Sequence, residues 1–181
     1  MAIPFRITPL NEKEVLRRAC CQDPSPEELS LLEECRRDAE YLLDYHITER
    51  NRPMNILTDP FLAETLRGCD SLIIFTASLG EALREHVLEN DEPEKSILYQ
   101  GLAAERLDAL IESYCDYKER TLREGGAVLT MHFPYRWEGV PEDTFTATRI
   151  MGVSFHPDEA DIPVPTRCRT CFVTDCPSRR E

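Results

Sequence analysis

Three cysteines within nine residues, Cys168, Cys171 and Cys176, form the densest cluster of reactive side chains in the chain. A C-x2-C pair on a tight turn can point two thiolates at one metal ion, and Cys176 adds a third sulfur five residues on. Arg167, Arg169, Arg179 and Arg180 surround the cluster, and neighbouring cations favour the thiolate over the thiol. The pattern suits zinc or an iron–sulfur cluster, each of which normally takes a fourth protein ligand. Cys69, Cys115 and His156 are candidates for that place. The plainer alternative is a free, redox-labile thiol cluster.

A second constellation is His132-Phe133-Pro134-Tyr135-Arg136-Trp137. Its rings, imidazole and guanidinium could hold a planar or cationic ligand by stacking and polar contacts, with His132, Tyr135 and Arg136 as the binding residues. A purely structural aromatic cluster uses the same residues. The third is Thr76-Ala77-Ser78-Leu79-Gly80, where free backbone N–H groups could take an anion. The same stretch also reads as a plain turn with Ser78 as helix cap. Cys20, Cys21, Cys35 and Cys115 read as core side chains, and His46 and His86 as surface or boundary residues. Neither a phosphate-binding loop, an H-E-x-x-H helix nor a G-x-S-x-G elbow is present, so phosphoryl and acyl transfer gain little support.

These residues need a scaffold. Ile3, Phe5 and Ile7 alternate with polar or proline residues, which predicts a short edge strand. Asn11 and Glu14 cap a helix to about Cys20. Ser25, Pro26 and Glu28 open a stronger one to about Tyr45. Asn51 to Asn55 reads as a polar connection, and Asp59-Pro60 starts a helix that stops at Gly68. Ser71 to Thr76 is apolar throughout, as in a strand buried on both faces. A helix to Leu88 and an acidic linker follow. A long helix then runs from about Glu94 to Arg123, with Gly101 as a possible break and Gly125-Gly126 as its stop. Ala127–Phe133, Thr144–Thr148 and Ile150–Phe155 read as strands. Strands and helices without regular alternation define an α+β class. The domain spans 1–160, and 161–181 is a cysteine-containing tail.

A chain of 181 residues, 41% hydrophobic and 30% charged, is of ordinary globular make-up. Its net charge of -13 argues against nucleic acid or an anionic membrane as partner. No run approaches the roughly 20 apolar residues of a membrane span. Pro4, Arg6 and Pro9 break the start as a signal peptide. A cytoplasmic location follows, where eight cysteines serve metal binding or redox chemistry better than disulfides.

Several segments, in order, resemble one family. They are Glu14-Val15-Leu16-Arg17, Leu66-Arg67-Gly68-Cys69-Asp70 and Thr76-Ala77-Ser78-Leu79-Gly80-Glu81, followed by Ala104 to Glu112, Ile150-Met151-Gly152-Val153 and the Cys168, Cys171, Cys176 tail. The pattern is similar to stand-alone relatives of the activation domain of vitamin B12-dependent methionine synthase, over about residues 3–179. The resemblance implies a twisted, mainly antiparallel sheet flanked by helices. It also implies an accessory role in a corrinoid-dependent methyltransferase system, with a corrinoid protein or corrinoid methyltransferase as partner and cobalamin carried by that partner. S-adenosylmethionine is the implied ligand, at the family's Pro-Gly-Tyr turn. Tyr135 carries over to that turn; the glycine is absent and Arg136 follows the tyrosine.

Overall fold

The computed structural model describes residues 3–21 and 23–156. Helix α1 (Glu12–Arg18) starts at Asn11, whose side chain accepts the Glu14 amide proton. Glu12 and Glu14 lie in its first turn and Arg17 and Arg18 in its last, as the helix dipole favours. The helix ends in a Schellman turn: Cys20 N donates to Arg17 O and Cys21 N to Leu16 O. That turn needs a left-handed residue, and Cys20 takes it at φ 59.

Helix α2 (Pro26–Leu42) carries the predicted reciprocal cap, Glu28 N to Ser25 Oγ at 3.2 Å and Ser25 N to Glu28 Oε2 at 2.7 Å. Strand β1 (His46–Pro53) and a single 3-10 turn (Met54–Ile56) follow. Helix α3 (Pro60–Thr65) is capped by Asp59, which accepts from the Phe61 and Leu62 amides. Strand β2 (Ser71–Ser78) and helix α4 (Glu81–Leu88) lead to α5 (Pro93–Glu124), a continuous helix of 32 residues. Two short strands, β3 (Val128–Leu129) and β4 (Phe133–Pro134), precede β5 (Thr146–Ser154).

Among the described residues these five strands form one sheet in the order β1-β2-β5-β3, with β4 also on β5. Val128 faces Ser154 and Phe133 faces Ile150, both antiparallel. The fold is α+β, an antiparallel sheet flanked by helices. The chain divides into two compact units. The first comprises 1–48, 76–114 and 136–148, and the second 49–75, 115–135 and 149–181. In the first, α1 rests on α5 at Gly101, where an added Cβ would lie 2.7 Å from Val15 O. Only glycine admits so close a crossing. In the second, Leu72, Ile73, Ile74 and Phe75 are all buried with Ile150 and Met151.

Several sequence-based expectations are corrected. Residues 3–8 form no strand; they are irregular chain, bent at Pro4 and Phe5, and tied to α5. Thr8 N donates to Ser113 Oγ at 3.3 Å, and the Phe5 and Tyr114 rings lie 6.0 Å apart. Gly101 does not break α5. The polar stretch from His46 is strand β1, at one end of the sheet order. Ala127–Phe133 yields two short strands rather than one, and Thr144–Phe155 one strand rather than two. Cys20 is exposed and Cys21 half-buried, so neither is core. Cys115 is half-buried. The Schellman turn carries both Cys20 and Cys21 off the helix's buried face.

Candidate functional site

The segment with His132, Tyr135 and Arg136 surrounds β4. Pro134 pairs with Arg149, and the Phe133 ring stands edge-on to Phe61 at 6.5 Å and 81°. Phe133 therefore serves packing. His132, Tyr135 and Trp137 are half-buried and Arg136 is exposed. Val140 N donates to Trp137 O at 3.1 Å, turning the chain toward β5. His132 and Tyr135 belong to the second unit and Arg136 to the first.

The cysteine cluster, Cys168, Cys171 and Cys176, lies outside the described residues, as does the proposed tail 161–181. Its three candidate fourth ligands differ sharply. Cys69 is buried, and burial, followed by the nearby Asp70 charge, pushes its thiol to about 11. Its sulfur occupies the space above Gly152, where an added Cβ would be 2.3 Å from Sγ. A thiol so placed resists becoming a thiolate. Cys115 Sγ rests 3.6 Å from Met151 Sδ. His156 is exposed and directly precedes the undescribed residues. Among the described residues no group of three His, Cys, Asp or Glu side chains is placed to hold a metal.

The Thr76–Gly80 turn is built differently from its predicted form. Gly80, not Ser78, precedes α4 as its cap residue, at φ 88 and ψ 159. Asp44 N donates to Leu79 O and Leu79 N to Phe145 O, so two backbone groups of the turn are already engaged. An added Cβ on Gly80 would sit 2.9 Å from Asp44 Cβ.

Two polar arrangements escaped the sequence reading. On α5, Glu105 and Arg106 are 1% and 7% exposed. Arg106 Nε donates to Glu105 Oε2 at 2.6 Å and Nη2 to Oε1 at 2.9 Å. The same guanidinium reaches Thr8 O at 2.9 Å and Pro9 O at 3.1 Å, and Glu105 accepts from Asn11 N at 3.3 Å. Together they fasten the segment before α1. Burial opposes the Arg106 charge, but Glu105 outweighs it and raises the guanidinium pKa further. Beside this pair a cavity of about 240 Å³ opens between α2, α5 and Leu10.

The second arrangement joins three helices. Tyr99 is fully buried, and its hydroxyl donates to Asp38 Oδ2 at 3.1 Å. That single proton being used, the oxygen accepts from His86 Nε2, also at 3.1 Å. Burial, then Tyr99 in the opposite sense, acts on the neighbouring Cys35 thiol, whose pKa rises to about 11. His86 is thus a junction residue, and Cys35 is core as expected. The signal for both arrangements was a charged or polar residue on the apolar stripe of α5.

The chain is therefore an α+β protein with a half-open cavity walled by α2 and α5 and an aromatic segment around β4. No family model and no curated protein matches its sequence.

Proposed function

We propose that the chain is an accessory protein of a corrinoid-dependent methyltransferase system. It would bind a corrinoid protein or corrinoid methyltransferase and offer S-adenosylmethionine near Tyr135, in support of cobalamin reactivation. One observation carries this reading: the segments that resemble the methionine synthase activation domain include closely packed positions of this fold. Gly80 faces the Asp44 backbone, Gly152 faces Cys69, and Glu105-Arg106 fastens the N-terminal segment. The α+β class and antiparallel sheet agree with that resemblance.

The side chains near β4 suit the ligand chemically. The half-buried Tyr135 ring offers a face for adenine. His132 supplies an additional polar edge. When bound, adenosylmethionine would contribute its transferable methyl group; the chain's part is to hold and orient it. A surface of net charge -13 favours a partner with a basic face.

Calorimetry with adenosylmethionine on the wild type and on Tyr135→Ala, together with co-elution with a corrinoid protein, tests the reading. Binding lost in the variant supports it. Absence of both ligand binding and association in the wild type refutes it. The C-x2-C-x4-C spacing favours a second reading, a zinc or iron–sulfur protein acting through Cys168, Cys171 and Cys176. Metal content and visible absorption of anaerobically purified protein decide between them.

A further inference from the structure

The cavity between α2 and α5 has a chemistry of its own, independent of the corrinoid reading. Leu10, Leu43, Ala39 and Leu102 supply apolar lining, and Arg106 and Tyr45 the inner polar groups. A guanidinium has five N–H donors and no acceptor. Four of those of Arg106 go to Glu105, Thr8 and Pro9. The remaining one accounts for its hydrogen bond with Tyr45, whose phenol oxygen must therefore accept. The Tyr45 proton is then left for another acceptor.

Charge narrows the class of that acceptor. Arg106 is matched by Glu105, and Arg36 by Glu33 and Glu40 at 2.7 and 2.6 Å. Each cation at the cavity is already paired with a carboxylate, and a carboxylate ligand would enter beside those carboxylates. We propose that this cavity binds a small uncharged molecule with an aliphatic body and one carbonyl-type oxygen, which accepts the Tyr45 hydroxyl proton. At about 240 Å³ the space lies below the range typical of drug-sized ligands, so the ligand is a fragment-sized one.

The test uses 4-methylpentanamide as probe and 4-methylpentanoate as its charged counterpart, followed by amide chemical shifts of the full chain. The amide is expected to shift resonances of residues 36–45 and 102–106, and the acid to bind at least tenfold more weakly. Tyr45→Phe, which keeps the ring, is expected to weaken the amide up to about tenfold, the range of one hydrogen bond. An unchanged thermal melting curve would show that the variant is folded. Absence of localised shifts overturns the site. Equal binding of the acid, or undiminished binding in Tyr45→Phe, overturns the ligand class.

Discussion

Replacing Arg106 by methionine tests how the N-terminal segment is held. The substitution keeps an aliphatic stem of similar reach on α5 but removes the charge opposite Glu105 and the donors to Thr8 O and Pro9 O. Glu105, 1% exposed, then keeps a carboxylate without its cation in a water-poor setting. Breaking a buried pair from one side costs about 3–5 kcal/mol. Total stability of a domain is about 5–15 kcal/mol, so the loss is a large share of it. Urea titration followed by circular dichroism reads the change, and trypsin cleavage at Arg6 reads release of the segment. The double variant Glu105→Gln/Arg106→Met removes both charges and is expected to recover about 2 kcal/mol or more relative to additivity. A single variant that loses less than about 1 kcal/mol, or a strictly additive double variant, refutes the reasoning.

Four further outcomes follow from the backbone and the buried thiols. Cys20 occupies a left-handed position at φ 59, so Cys20→Gly is expected to raise stability by up to about 1 kcal/mol, read as an increase in urea midpoint. Gly80→Ala combines a glycine-only backbone with an overlap on Asp44 and should cost about 3 kcal/mol. Gly139→Ala, at φ 80 with nothing within 4 Å, should cost only about 1 kcal/mol in the same titration. The Cys35 and Cys69 thiols rise from 9.0 to about 11 on folding, so the neutral thiol is the form the native state favours. Their contribution is complete below pH 9 and is lost as pH rises toward 11, and Cys69→Ala should flatten that decline in melting temperature.

The helices were legible because their signals are local. Ser25-Pro26 and Asp59-Pro60 present caps that act within one turn, and the stripe from Leu107 to Tyr114 fixes the buried face of α5. The Ser71–Thr76 strand was legible because it is apolar on both faces. Strand β1 was not, since His46–Pro53 holds mostly polar side chains and lies at the end of the strand order, where Glu49 is paired with Lys118 at 3.0 Å. Residues 3–8 alternate like a strand, yet their partners are side chains of α5, which no periodicity announces. The polar lining of the cavity was invisible for a related reason. Tyr45 and Arg106 are 61 positions apart, and only the fold joins them.

Cys69 and Gly152 share a single volume, with an added carbon on one falling 2.3 Å from the sulfur of the other. Size at these two positions is therefore a conserved sum rather than two independent choices. With alanine at 152, shrinking 69 to alanine removes the 2.3 Å overlap on sulfur, and shrinking it to glycine also removes the 3.1 Å contact on its Cβ. Homologues that differ at one of the two should differ at the other in the compensating direction.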